Sequence, residues 1–137
     1  MTPSGFGKRF AACSLAAGLA AAAGVAQPPP DDFRQEMVDA LTVCTAAYGA
    51  LASGNDFSTS DDDEMRDAAR GQQKEARRLL TLWSHLDESE VADMLFSASI
   101  ELNAEDFDDE GLLDLAIYCD DKLSDLLDTA DSRGYTP

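Results

Sequence analysis

Apolar residues recur along this chain at steps of three and four, which is the spacing of one face of an α-helix. The first run carries these apolar positions: Phe33, Met37, Leu41, Cys44, Tyr48 and Leu51. Asp31 offers an N-cap oxygen before the run, and Gly54 with Asn55 ends it. The pattern predicts a first helix over about residues 31–53.

A second apolar stripe predicts a helix over about residues 61–86, which opens on negative charges that favour a helix N-terminus. Its apolar positions are Met65, Ala69, Ala76, Leu79, Leu80, Trp83 and Leu86. The polar residues that follow have the Asp-x-x-Glu form of a capping box, so we expect a break and a third helix over about residues 87–103. Because Phe96 and Ile100 add a second apolar side to this third helix, we expect it to be packed on two sides.

The fourth predicted helix spans about residues 106–131 and has the most regular stripe. Its apolar positions are Leu112, Leu115, Ala116, Cys119, Leu123, Leu126, Leu127 and Ala130. Four amphipathic helices with short connections and no alternating apolar pattern predict an all-α fold, a small antiparallel up-and-down four-helix bundle. Residues 132–137 are expected to form a frayed tail.

The first 26 residues have the order of charge and polarity of a secretory signal peptide. Lys8 and Arg9 precede an alanine-rich apolar run that ends at Ala26. Small residues close this run, as a signal peptidase requires, and a polar, proline-rich stretch follows. We expect residues 1–26 to be removed, which leaves one helical domain, residues 27–131, that is periplasmic or secreted in a bacterium.

This N-terminal segment has three other interpretations: an uncleaved membrane anchor, a lipoprotein signal and a disordered alanine tract. An anchor needs about 20 residues of high hydropathy, whereas this run is shorter and mostly alanine. A lipoprotein needs its acceptor cysteine at the end of the run, but Cys13 lies near the beginning. The cleaved signal peptide fits best, and no membrane contact is expected after cleavage.

Cys44 and Cys119 each lie near the middle of a predicted helix, on its apolar stripe. In an antiparallel pair of helices they would meet at the same height, and an oxidising compartment favours their pairing. We expect a structural disulfide that closes a loop of about 75 residues, for which the chain-entropy estimate is roughly 4.5 kcal/mol. The alternative is two free thiols that pack as small apolar side chains.

The composition is strongly acidic, with a formal net charge of −17. Cleavage would take the charge to −19, because residues 1–26 hold two cations and no acids. This charge repels nucleic acid and anionic lipid, so neither is expected as a partner. The excess of aspartate over glutamate and of arginine over lysine favours a GC-rich genome, and a saline habitat would explain the acidity as well as a function would.

Familiar catalytic and cofactor motifs are absent from the sequence. The Cys-x-x-Cys-His motif of c-type haem does not occur, and the single histidine, His85, is too little for a zinc or copper site. His85 lies away from the apolar stripe of its helix, so we expect a solvated imidazole rather than a general base. Neither Gly-x-Ser-x-Gly nor Ser-x-x-Lys is present. We expect no catalytic residue, no cofactor and no metal site.

The stretch around Asp106, Asp108 and Glu110 imitates the first half of an EF-hand calcium loop. Ile117 stands where such a loop needs its bidentate glutamate. Weak, unspecific cation binding is therefore expected here rather than a dedicated calcium site.

Two charged stripes are candidate contact surfaces. The basic stripe lies on the second helix, roughly opposite its apolar positions, and comprises Arg66, Arg70, Lys74, Arg77 and Arg78. The acidic stripe lies on the fourth helix and comprises Asp114, Asp121, Asp125 and Asp128. Both are expected to face solvent, where they could engage a partner protein or a second copy. In the alternative interpretation they are ordinary solvated faces, with local pairs from Asp62 to Arg66 and from Asp67 to Arg70.

These features favour an exported, non-enzymatic, acidic helical protein that mediates protein contacts or acts as an accessory subunit. Its partner would be an unknown protein or a second copy of itself. Two alternatives stay open, namely a helical bundle that binds a small ligand or a cation, and a periplasmic acid-response protein whose carboxylates are neutralised at low pH.

Overall fold

The computed structural model describes residues 26–53 and 60–137, so the signal peptide predicted over residues 1–26 lies outside the described residues except for Ala26. The described chain forms four helices: α1 Asp31–Ser53, α2 Ser60–Ser84, α3 Glu88–Ala104 and α4 Asp109–Arg133. In the described ranges there is no strand, and the one β-bridge that is seen joins Gln27 to Tyr135. The predicted all-α fold of four packed helices is confirmed. None of the described helices combines the length and the hydropathy that a membrane span needs.

The connection between α2 and α3 lies at the predicted break. α2 ends at Ser84 because His85 adopts a left-handed backbone conformation, with a φ of 61°. Asp87 then caps α3, since its side chain accepts a hydrogen bond from the backbone N–H of Glu90 at 2.8 Å. The capping signal in the sequence therefore marks the start of the third helix.

The fourth helix begins later than the predicted residue 106. Asp106 has a φ of 54°, which is incompatible with a right-handed helix. Asp108 is the N-cap instead, and its Oδ1 accepts a hydrogen bond from the backbone N–H of Gly111 at 2.7 Å. The acidic stretch that imitates a calcium loop thus serves as a turn and a helix cap.

The C-terminal residues are held in place, in contrast to the expected frayed tail. α4 continues to Arg133, and Gly134 caps it in the left-handed conformation that glycine adopts without strain. The backbone N–H of Gln27 donates a hydrogen bond to the carbonyl oxygen of Gly134 at 3.0 Å. The backbone N–H of Thr136 in turn donates to the carbonyl oxygen of Gln27 at 3.1 Å. The Tyr135 ring packs on Phe33, with ring centroids 5.1 Å apart. The prediction failed because these contacts join the two ends of the domain.

α1 is the central helix of the bundle, because it packs against α2, α3 and α4. Its core side chains include Met37, Leu41 and Tyr48, which have no exposed surface. Phe33 near the beginning of α1 meets Trp83 near the end of α2, with ring centroids 6.1 Å apart. Such pairings are consistent with the antiparallel up-and-down arrangement.

The predicted disulfide between Cys44 and Cys119 is confirmed. The two Cα atoms lie 5.5 Å apart, and both side chains are buried. The bridge joins the middle of α1 to the middle of α4 across a sequence separation of 75 residues. Within the chain-entropy picture, it stabilises the fold by restricting the unfolded chain.

α3 is packed less completely than the sequence predicts. Val91 is its buried residue, and the other side chains of its apolar face are only partly buried against the core. Phe96 is 69% exposed and Ile100 is 53% exposed. The expectation of packing on two sides is wrong for the described chain, because α1 covers α3 on one side and no helix of the described chain covers the opposite side.

Candidate functional site

The basic stripe lies on the exposed side of α2. Arg70, Lys74, Arg77 and Arg78 are exposed, whereas the Arg66 side chain is 21% exposed. The core positions of the same helix, including Leu80 and Trp83, are buried on its opposite side. The structure therefore places most of the predicted contact residues where another molecule could reach them.

Carboxylates on α2 itself neutralise part of this stripe. Arg70 pairs with Asp67 at 2.7 Å, as the sequence predicts, and Arg78 pairs with Glu75 at 3.0 Å. Each exposed pair at this helical spacing contributes only a few tenths of a kcal/mol to stability. Among the described residues, no carboxylate lies within ion-pair distance of Lys74 or Arg77. The positive charge that is available to a partner is concentrated at these two residues.

Arg66 is partly enclosed near the beginning of α2. Its guanidinium lies 3.8 Å from the carboxylate of Asp63, one turn before it on α2. The expected partner, Asp62, has a side chain outside the described residues. Arg66 is thus the cation of the stripe that is most enclosed by the protein itself.

The acidic stripe of α4 is exposed at each of its positions: Asp114, Asp121, Asp125 and Asp128. The ion pairs that Arg70 and Arg78 make stay within α2, so the structure does not join these two arginines to α4. An interhelical ion pair instead links Lys122 of α4 to Glu36 of α1 at 2.6 Å. The hydrogen bond to Glu36 raises the pKa of Lys122, so this lysine is protonated at neutral pH.

A groove that the sequence did not reveal runs along the outer side of α1, between α3 and α4. Three cavities of about 600, 510 and 150 Å³ share Val43 and together form this groove. Its apolar lining includes Val43, Met94, Ala98, Phe107, Leu115 and Tyr118. Its carboxylates are Asp32, Glu36, Asp39, Asp93, Glu101 and Glu105. We call it the acidic groove.

Large apolar side chains are open to solvent in the acidic groove. Val43 is 46% exposed and Tyr118 is 59% exposed. The other large aliphatic side chains of α1, such as Leu41 and Leu51, are buried. Val43 therefore departs from the packing of its own helix, which makes the groove a concave surface with an apolar centre and charged edges.

A buried polar network joins α1, α2 and α4. The Tyr48 hydroxyl donates to Oδ1 of Asp120 at 2.6 Å, and the side-chain amide of Gln72 donates to the same oxygen at 2.9 Å. All three residues are buried. In the described part of the chain, Oδ2 of Asp120 is buried and has no hydrogen-bond partner. A carboxylate that is only half satisfied is costly in a protein interior.

The environment of Asp120 changes its acid–base behaviour. Burial raises the pKa of the Asp120 carboxyl, the charge of Asp121 acts in the same direction, and the hydrogen bonds from Tyr48 and Gln72 oppose them. Burial is also the main cause that raises the pKa of the Tyr48 phenol, and the hydrogen bond to Asp120 raises this pKa further. The phenol consequently stays protonated and acts as the donor.

One sequence signal could have found this network. Gln72 falls on the apolar stripe of α2 between Ala69 and Ala76, at helical spacings of three and four, so a polar side chain there needs a buried partner. Asp120 gave no such signal, because it lies in a helix that is rich in exposed aspartates. Sequence patterns cannot tell which aspartate of such a helix faces inward.

His85 is exposed, as predicted, and a guanidinium nitrogen of Arg34 lies 2.8 Å from its Nδ1. Among the described residues, no group of three or more histidine, cysteine or acidic side chains is arranged to hold a metal ion.

No protein-family model, no curated protein and no solved structure matches this chain.

Proposed function

We propose that this chain is an exported, non-enzymatic accessory protein that acts by binding another protein. The exposed apolar side of α3 carries this proposal. Phe96 and Ile100 are one helical turn apart on α3 and are both exposed, so they form a small apolar patch. Burial of a side chain of this size contributes about 1.5–3 kcal/mol, which a partner would recover.

Export is supported by two independent features. The N-terminal sequence has the order of a signal peptide. The disulfide between Cys44 and Cys119 is compatible with an oxidising compartment. The formal charge of −17 favours a protein partner over nucleic acid or an anionic membrane, because both of those would be repelled.

The test is crosslinking of the tagged chain in its native cells, with Phe96→Ser and Ile100→Ser combined in one variant. We expect the wild type to crosslink to one protein in a fixed ratio, and the double variant to lose this product. Leu82→Ser is the matched control, because Leu82 is an exposed apolar residue on a different helix. Equal crosslinking of all three proteins, or no product from the wild type, would contradict the proposal.

The basic stripe is a second candidate contact surface, for an acidic protein or for the acidic stripe of another copy. Lys74 and Arg77 support this role, because they lack a carboxylate partner among the described residues. Changing Arg70, Lys74 and Arg77 to glutamate should leave the fold intact, since all three are exposed. Sedimentation at low salt, with the captured partner and alone, then shows whether the stripe contributes. Identical behaviour of wild type and variant would mean that it is a solvated face.

A second candidate function is an acid response, which the buried Asp120 favours. Uptake of a proton by this side chain would remove a charge from the interior of the bundle. We would then expect the purified protein to suppress aggregation of a client protein in acid but not at neutral pH. An Asp120→Asn variant that, like the wild type, is active only in acid would assign the effect to other carboxylates.

A further inference from the structure

We propose that the acidic groove binds a basic amphipathic helix of the partner protein. This inference rests on the proposed function and specifies the chemistry of the partner. It uses a surface distinct from the Phe96 and Ile100 patch, since neither of these residues lines the groove.

The shape of the groove fits a helix. Among the described residues, no Cα atom of α3 lies within 8 Å of a Cα atom of α4, so the two helices stand apart over α1. Packed helices lie about 8–10 Å from one another, and a helix laid over Val43 would contact all three. Phe107 and Leu115 line the smallest of the three cavities, where the groove narrows beside the connection between α3 and α4.

The apolar centre of the groove provides the binding energy. Val43 and Tyr118 line the largest cavity together, and both are more than one-third exposed. One apolar stripe of a bound helix would cover them, along with the partly buried Met94 of α3. This arrangement is that of a helix in a groove, in which residues spaced by three and four serve as anchors.

The charges around the groove select a cationic helix. Carboxylates flank the apolar centre on the α1 side, at Asp32 and Asp39, and on the α3 side, at Asp93 and Glu101. Lys122 is the cation that lines the groove, and Glu36 already pairs with it. A helix with lysine or arginine on both sides of its apolar stripe would match these charges, whereas an acidic helix would be repelled.

A second copy of this chain fits the groove less well. Most of the cations in the described ranges lie on α2, but the apolar stripe of α2 is buried in its own core at residues such as Leu79, Leu80 and Trp83. Of the large apolar side chains of α2 in the described ranges, only Leu82 is exposed, so this helix of another copy would present its cations without an apolar stripe. The groove therefore favours a different protein as its occupant.

The test uses a synthetic helical peptide of about 18 residues, long enough to cover about 27 Å. Leucines form its apolar stripe, and lysines flank them. A matched peptide has glutamate in place of each lysine. We expect the disulfide-bonded chain to bind the lysine peptide in a fluorescence-anisotropy titration, with an affinity that falls as salt rises. The glutamate peptide should not bind.

Two matched pairs of variants locate the site. Val43→Asn should weaken binding of the lysine peptide about tenfold, which corresponds to about 1.4 kcal/mol. Leu82→Asn removes an apolar residue of similar exposure on α2, outside the groove, and should leave the affinity unchanged. The combination of Asp39→Asn, Asp93→Asn and Glu101→Gln should weaken binding and flatten its salt dependence. Its control combines Glu64→Gln, Glu88→Gln and Asp131→Asn, which change the net charge equally at exposed positions outside the groove.

Equal effects of the groove variants and their controls would overturn the inference, because binding would then be a response to net charge. Equal binding of the two peptides would overturn it as well. These outcomes are separate from failure of the proposed function. A partner that is captured in cells through Phe96 and Ile100, with no effect of Val43→Asn, would refute the groove but leave the proposed function standing.

Discussion

The hydroxyl group of Tyr48 on α1 donates a hydrogen bond to the carboxylate of Asp120 on α4, with an oxygen-to-oxygen distance of 2.6 Å. Asp120 directly follows Cys119, so the polar contact lies beside the disulfide that joins the same two helices. One covalent link and one buried hydrogen bond thus fix how α1 and α4 pack. Each can be removed separately.

Stability should depend on the ionisation of Asp120. Burial raises the pKa of this carboxyl in the folded state, so the folded protein takes up the proton at a higher pH than the unfolded chain does. The stabilising contribution of Asp120 is therefore complete below its unfolded pKa, about 3.9, and is lost as pH rises through the folded pKa. Asp120→Asn should remove this dependence.

The measurement is urea unfolding of the wild type and of Asp120→Asn at several pH values between neutral and acid. Other carboxylates titrate in both proteins, so the difference in the free energy of unfolding isolates Asp120. On acidification, the wild type should gain stability relative to the variant. Asp114→Asn is the control at an exposed position of the same helix. A difference that stays constant with pH would contradict the prediction.

Tyr48→Phe should lower the free energy of unfolding by about 1–3 kcal/mol. The substitution leaves the buried carboxylate of Asp120 with the hydrogen bond from Gln72 alone. Tyr118→Phe serves as the control, because Tyr118 is exposed and should change stability by less than about 0.5 kcal/mol. Chemical denaturation of both variants at neutral pH provides the comparison. Equal stability of the two would show that the buried hydrogen bond contributes nothing net.

Alkylation without a reductant should modify neither Cys44 nor Cys119, because both sulfur atoms are engaged in the disulfide. Replacing both residues by alanine should lower the free energy of unfolding by about 2–5 kcal/mol. Peptide mapping by mass spectrometry reads the first outcome, and urea unfolding reads the second. Full labelling of both residues in native exported protein would disprove the bridge under those conditions.

The exported chain should begin at Gln27. Cleavage after Ala26 would place the new N-terminus at the bridge with Tyr135, where the Gln27 nitrogen donates to the Gly134 carbonyl oxygen. An amino group can make this hydrogen bond as well as a peptide N–H does. Intact-mass measurement of the protein from the exported fraction decides the matter. A full-length mass in the membrane fraction would indicate an anchor instead.

The helices could be predicted because their signals are local in the sequence. The disulfide could be predicted because its two cysteines hold equivalent positions on two helices. The periodicity of each apolar stripe depends on neighbouring residues, and Cys44 and Cys119 lie at matching heights on two stripes. The ordered C-terminal residues could not be predicted in this way, because Gln27 and Tyr135 are far apart in sequence. The left-handed conformation of Asp106 could not be predicted for another reason, because the acidic residues around it resemble the first turn of a helix.

The candidate site was predicted only in part. Exposure of Arg70 and Arg77 follows from their angle on α2, which a sequence pattern contains. The acidic groove depends on which helices are neighbours, and it exists because α3 and α4 both lie on α1 without closing over Val43. Asp120 shows the same limitation at one residue, because its inward position is set by Tyr48 and Gln72 on other helices.

The position of the disulfide affects what proteolysis does to the protein. Cys44 precedes and Cys119 follows all the connections between the four helices. A single backbone cut anywhere between these cysteines therefore leaves the two fragments covalently joined. A nick in the segment at residues 54–59 would leave α1 attached to α4, and the cleaved molecule could lose α1 only after the disulfide was reduced.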